Sequence, residues 1–299
     1  MLDLKLIFEN TEVGRAARAY RDRKKVSVFG MSEFARAVTI ALGGEVGVTV
    51  VVAGDFYLAR RIYDSLKFLA DGVVLLPAPA DSLAYRDATG GSATADRFRA
   101  LGLIAGGRAK FVVTTVEALF GLCPDPERFS SLVLSVKRGD TLDLASVAAK
   151  LVAAGYKREP QLTDYGRFAL RGDILDVWSP AEEKPIRIEF FGDEVDAIGV
   201  IDPETHRSKE ALDECLITPV TEFIADENER KNIIRIIEKE TADFTGGADE
   251  KTTLTRISDE IISRLAAGQA SAELSFLRPL VPHSDVFGFA GASGVAFDD

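Results

Sequence analysis

The sequence predicts an α/β protein: a parallel-sheet domain, P-loop-like but degenerate, interrupted by an inserted α+β domain built on an antiparallel meander. Three observations carry this expectation. Short apolar runs alternate with amphipathic helical stretches over the first 122 residues, the pattern of βαβ units in a parallel sheet. Between Tyr165 and Ser208 that rhythm gives way to four consecutive runs of alternating apolar and polar residues broken by turn signals, as in a half-exposed meander. From Asp226 onward helical periodicity returns, and the chain closes on an apolar run, Gly294 to Phe297.

Each element follows from its residues. Thr11 to Arg23 reads as a helix and Lys25 to Gly30 (Lys-Val-Ser-Val-Phe-Gly) as a short buried strand. Ser32 to Leu42 is a helix with Ser32 as N-cap, since its hydroxyl can accept from an otherwise orphaned backbone N–H. Val46 to Ala53 is almost continuously apolar, the mark of a strand covered on both faces. Asp55 to Leu69 places Phe56, Ala59, Ile62, Tyr63, Leu66 and Leu69 on one helical stripe. Gly72 to Leu76 (strand), Thr94 to Ala105 (helix) and Lys110 to Thr115 (strand) complete the first part. The pattern changes at Cys123-Pro-Asp-Pro126. Leu132 to Val136 is a strand, Leu144 to Ala154 is a helix ended by Gly155, and the meander follows, closing near Leu216 to Val220. Asp226 to Thr241 and Leu254 to Ala267 are helices separated by a loop at Phe244 to Ala248.

The organisation expected is residues 1–122 as the first part of the α/β domain, 123–219 as an inserted α+β domain, and 220–299 as a helical return that completes the first domain. Two helices and one strand are too little for a third core, which is why they are assigned to the return. The close on a buried-type strand reads as a piece of a longer protein.

Composition narrows the function. A formal net charge of −11 disfavours nucleic-acid binding over the whole surface, because that affinity comes from clustered Lys and Arg on phosphates. The two cysteines, Cys123 and Cys215, are far apart and form no C-x-x-C pair, so a reducing cytoplasm is the expected compartment. His206 and His283 are isolated, so no metal site is expected. No apolar run approaches the roughly 20 residues of a membrane span, and the N-terminus lacks a signal-peptide apolar core.

Lys25 to Leu42 has the strand–turn–helix layout of a P-loop without its chemistry. Laying G-x-x-x-x-G-K-[ST] on Gly30 puts Ala35 at the second glycine, Arg36 at the lysine and Ala37 at the hydroxyl. Ala37 cannot ligate Mg²⁺, and Glu33 in the loop would repel phosphate. Phe297-Asp298-Asp299 has the look of a Walker B end, but without a working loop it is assigned no catalysis and no cofactor is expected. No nucleophile elbow accompanies the histidines. Glu182-Glu183 and Asp298-Asp299 read as solvated charges, and Arg171-Gly-Asp173 is a chance spelling of an adhesion tripeptide.

The third run of the meander is the informative one. Side chains on a strand alternate faces, so Ile186, Ile188 and Phe190 point one way while Arg187, Glu189 and Phe191 point the other. A large aromatic therefore stands on the charged face near an arginine, and both residue types are enriched at protein–protein hot spots. The bland alternatives are a solvated Arg187, an Arg171 that only pairs Asp173 or Asp176, and a Phe191 in the core with Phe190 exposed. Trp178 reads as core or hairpin packing.

Arg171-Gly-Asp-Ile-Leu-Asp-Val-Trp-Ser-Pro180 and Ile186-Arg-Ile-Glu-Phe-Phe-Gly-Asp-Glu194, continued by Ile201-Asp-x-x-Thr-x-x-Ser208, resemble the region shared by the excinuclease protein UvrB and the bacterial transcription-repair coupling factors (Mfd). The resemblance extends more thinly from Val26 to Phe223, including Leu76-Pro-Ala-Pro-Ala-Asp-Ser-Leu-Ala-Tyr85 and Thr115-Val-Glu-Ala-Leu-Phe120. UvrB carries an intact P-loop and a long aromatic hairpin. Here the loop is degenerate, and only a short Gly/Ser/Ala segment, Asp87 to Ala95, leads into the next helix. Both departures match the N-terminal module of the coupling factors. The resemblance implies a non-catalytic docking module that recruits the excinuclease protein UvrA to stalled RNA polymerase, with contact residues Arg171, Arg187 and Phe191, joined by Glu189 on the same strand face and Asp193 in the following turn. It implies a monomer without direct DNA or membrane contact, whose docking face could also meet C-terminal domains of a full-length protein. The alternative is a UvrB-like, ATP-dependent damage-binding enzyme.

Overall fold

The computed structural model describes residues 7–8, 10–22, 24–44, 47–79, 92–202, 205, 208–268 and 272–298. Most of the Asp87 to Ala95 segment, His206 and Asp299 lie outside them. The chain divides into two compact units, Met1–Cys123 with Ser284–Asp299, and Pro124–His283.

The first unit runs α1 (Glu12–Arg21), α2 (Glu33–Gly43), β1 (Val48–Ala53), α3 (Phe56–Leu69), β2 (Val73–Leu76), α4 (Ser92–Ala105), β3 (Phe111–Thr115) and a short helix α5 (Val116–Leu119). After the excursion into the second unit the chain returns as a short helix, Val286–Ala290, and a last strand, Ala292–Asp298. The sheet order is last strand, β1, β3, β2, with every pairing parallel. Local chemistry starts the helices as expected: the Thr11, Ser32 and Asp55 side chains accept from Gly14, Ala35 and Leu58 N–H. The α3 stripe buries Ala59, Ile62 and Leu66 against Val51, Ala53 and Val113 of the sheet. Each large aliphatic side chain so covered contributes about 1.5–3 kcal/mol.

Lys25 to Gly30 is not a strand. It makes no ladder, Val28 is exposed, and Phe29 is 90% exposed. Its apolar run is strand-like in isolation, but it pairs with neither of the sheet's edge strands, β2 and the last strand. The helix after it forms all the same, because its cap and stripe are local.

The second unit opens with α6 (Pro126–Leu132), a helix that the hydrophobic pattern does not predict, although Asp125 caps it and Pro126 begins it, a regular N-terminal signature. It continues with β4 (Leu134–Lys137), α7 (Leu144–Ala153), β5 (Lys157–Arg158), β6 (Arg167–Arg171), β7 (Ile174–Trp178), β8 (Ile186–Phe191), β9 (Glu194–Ile201), β10 (Ser208–Leu212) and β11 (Glu214–Ile217). Strands β5 to β10 form one six-stranded sheet in sequence order. The meander pairings from β6 to β10 are antiparallel, and the short β5 joins in parallel. The meander closes on β10 rather than near Leu216 to Val220. Strand β11 leaves it to pair with β4, and Cys215, Leu216 and Ile217 are buried in succession instead of alternating.

Helices α8 (Glu227–Asp243) and α9 (Ala248–Ala266) belong to this unit and not to a return that begins at residue 220. Their apolar faces close on one another and on the 3₁₀ segment Ala272–Leu280, burying Phe223, Ile233, Leu265, Leu274, Leu277 and Val281 together. A buried ion pair, Arg278 Nη1 to Glu222 Oε2 at 2.8 Å, and Arg128 Nη1 to Glu229 Oε2 at 2.6 Å tie them to their own unit. Only Ser284 onward rejoins the first unit.

Candidate partner-docking face

The meander has an inner face that forms a core and an outer face that does not. Ile186, Ile188 and Phe190 of β8 are buried with Leu175 and Val177 of β7, Phe168 of β6 and Val195 and Ile198 of β9. Phe190 is 7% exposed and its neighbour Phe191 is 83% exposed. The strand parity read from the sequence therefore holds, and Phe191 is not a core aromatic.

Two hairpins of the same construction shape the working end of this face. Arg171 pairs with Ile174 across the loop Gly172-Asp173, and Phe191 pairs with Glu194 across Gly192-Asp193. A two-residue loop that suits the right-handed strand twist needs positive φ at its first position, which favours glycine; Gly172 and Gly192 sit at +59° and +62°. The Phe190 N–H donates to Asp173 O at 2.8 Å, so the two loops lie at one end of the sheet, with Arg171 and Phe191 beside them. Asp193 is exposed in the second loop, and its carbonyl accepts from Leu142 N–H at 2.7 Å.

Arg187 is clamped and largely covered, while Arg171 stays exposed and is tethered at one end. Arg187 donates from Nε and Nη2 to the two oxygens of Asp176 at 2.7 and 2.8 Å, a planar two-pronged pair. The Arg187 side chain is 18% exposed and that of Asp176 6%. The hydrogen bond to Asp176 holds the guanidinium pKa above its ordinary value, against the opposing pull of burial. Arg171 donates from Nη2 to Pro160 O at 2.7 Å and brings Nη1 to 3.8 Å from Asp176 Oδ2. A shallow cleft of about 560 Å³, lined by Glu159, Pro160, Gln161, Thr163 and Arg171, opens next to it. Arg187, half-buried Glu189 and Phe191 follow one another on the outer face, at roughly 6.6 Å per step along a strand. The face thus displays a cation, an anion and an apolar anchor in line, with Arg171 on the neighbouring hairpin.

The sequence of residues 134–223 matches the family of the UvrB interaction domain. That stretch, about a third of the chain, is similar to the UvrB interaction domain. It is also similar to the transcription-repair-coupling factor of Myxococcus xanthus, 34% identical over 221 residues, 70% of this chain and 18% of that protein. The transcription-repair-coupling factor of Bacillus subtilis is 29% identical over 219 residues, covering 72% and 19% of the two chains. The UvrABC system protein B of Francisella tularensis is 38% identical over 130 residues, covering 43% and 19%. The chain thus spans about a fifth of the length of these relatives. The matched domain contains every residue of the outer face described above, from Arg171 to Asp193.

What the sequence reading of residues 134–223 missed is the central place of Asp176. The signal was present: Ile174, Asp176 and Trp178 share one parity in β7, and the two-residue loop fixes Ala169 opposite Asp176. The partner on the other side, Arg187, depends on the register of β7 with β8 across the connection 179–185, which no local rule specifies.

Outside that stretch, the residues that line up with a P-loop pattern pair with other groups of the protein. Gly30 has φ of +71°, but Arg36, at the lysine position, makes an ion pair through Nη1 with Asp298 Oδ1 at the end of the last strand. Glu33 pairs with Arg61, and the Ser32 hydroxyl occupies the Ala35 N–H of the helix start. Among the described residues no group of His, Cys, Asp and Glu could hold a metal ion, and no helix is long and apolar enough to cross a membrane.

Proposed function

We propose that the chain is a non-catalytic docking module of nucleotide excision repair, and that the outer face of its UvrB interaction domain binds the excinuclease protein UvrA. The single observation that carries this reading is Phe191, 83% exposed on the same strand face as the clamped Arg187, with Glu189 between them. Rigid presentation of an aromatic and an arginine is the usual make-up of an interface hot spot. The similarity to proteins named transcription-repair-coupling factor and UvrABC system protein B supports the same reading. The complementary surface on the partner would hold an acidic group opposite Arg187 and Arg171, a basic one opposite Glu189 and Asp193, and an apolar pocket for Phe191. Within a longer protein of the coupling-factor kind, such a module would bring UvrA to a stalled RNA polymerase, and C-terminal domains could cover the same face. The module acts as a monomer, without direct DNA contact, in the cytoplasm.

Calorimetric titration of UvrA into this chain tests the reading. Arg187→Ala should weaken the complex by about 2 kcal/mol, the hot-spot scale, and unchanged affinity would sink it. The non-catalytic part has its own test. Arg36 is paired with Asp298, and Ala37 stands where a phosphate site has its hydroxyl, so the purified chain should release no phosphate from ATP with Mg²⁺. Steady turnover, abolished by Asp298→Ala, would favour the UvrB-like alternative, which the 38% identity to UvrABC system protein B keeps in view.

A further inference from the structure

Both arginines of the outer face converge on one carboxylate. Asp176 stands between Ala169 on β6 and Arg187 on β8 in the sheet register, and Gly199 stands on the far side of Arg187. Small residues thus flank the pair, and the covered carboxylate takes its partners across the sheet. A buried carboxylate must be paired, and an ionised one offers about four lone-pair sites. Arg187 takes both oxygens, while Arg171 approaches Oδ2. The guanidinium has five N–H donors, and Asp176 occupies one on Nε and one on Nη2. The remaining donors, on Nη1 and the outer side of Nη2, point away from Asp176. A free arginine side chain must surrender its rotamer freedom on binding, whereas this one is already held.

We propose that Asp176 is the positioning residue of this face: it fixes Arg187, and secondarily Arg171, in the orientation that a carboxylate-bearing partner meets. The inference rests on the docking reading above and deepens it. The partner touches the arginines, and Asp176 acts through them.

The test is a double-mutant cycle on the intact chain, read by titration with UvrA and, separately, by urea unfolding. Asp176→Asn keeps the shape of the side chain and removes its charge, and should weaken binding about tenfold. Because Asp176 works mainly through Arg187, adding Asp176→Asn to Arg187→Ala should cost much less than the factor of about ten that Asp176→Asn costs alone, the remainder being its secondary hold on Arg171. A residue that only supported the fold would lower the unfolding midpoint and add its binding loss to that of Arg187→Ala. Additive losses, or wild-type affinity in Asp176→Asn while Arg187→Ala is impaired, would overturn the inference and leave the docking reading standing. Unaltered binding by Arg187→Ala would instead overturn the docking reading. Should Asp176→Asn fail to fold, Arg187→Lys serves: it keeps the charge but cannot form the two-pronged pair, so a loss of about tenfold is expected and wild-type affinity contradicts the proposal.

Discussion

Phe191→Ala is expected to weaken the complex with UvrA by about 2 kcal/mol or more, roughly thirtyfold, while leaving the unfolding midpoint of the chain where it was. The side chain is 83% exposed, so its removal opens no cavity. Surface substitutions of this kind usually stay within about 0.5 kcal/mol of wild-type stability. The binding loss has a different origin. A ring held at the end of a strand loses little freedom on docking, and its area is available to an apolar pocket. Titration calorimetry and urea denaturation on the same preparation separate the two quantities. Equal affinity with an intact fold would remove Phe191 from the interface.

Phe190→Ala, one residue away, is expected to do the opposite. Phe190 is 7% exposed and packs on the inner face with Ile186 and Ile188. Deleting a buried phenylalanine costs about 3–5 kcal/mol, because the transfer energy of the ring is lost and the cavity only partly collapses. Against a typical domain stability of about 5–15 kcal/mol, that is a large fraction. Urea unfolding should show a much lower midpoint, while the fraction that remains folded should bind UvrA with nearly unchanged affinity. A midpoint equal to that of the wild type would mean that the strand is paired one residue out of register, which would exchange the two faces.

These two neighbours show what can be read from the residues alone. Alternation along Ile186 to Phe191 assigns each side chain to a face without knowledge of any partner strand, because the two-residue period belongs to the strand itself. The helix starts at Thr11, Ser32, Asp55 and Asp226 are legible for the same reason: a capping side chain bonds to an N–H three residues on, within its own segment. The α6 start is equally local, and its Asp-Pro signature is as readable as the others. The motif series around Arg171 to Glu194 points to the domain that the family match finds at residues 134–223.

The misreadings share another origin. Lys25 to Gly30 carries a good strand pattern, and Glu214 to Ile217 has the pattern of a last meander strand. Whether a run becomes a strand, and in which sheet, depends on the partner it meets, and that partner lies far away in sequence, as β4 does for Glu214 to Ile217. The helices after residue 226 are amphipathic in either assignment; which core covers their apolar face is settled by their packing with Leu274, Leu277 and Val281.

The sequence by itself determined the helix starts and the faces of the meander, and hence the outer position of Arg187, Glu189 and Phe191. Only the tertiary structure decided that Arg187 is clamped by Asp176, that Arg36 is spent on Asp298, and that the helices belong with the second unit. Periodicity and capping act over a few residues and are written in the local order of side chains. Ion pairs, sheet edges and shared cores join residues that the chain brings together only when it folds.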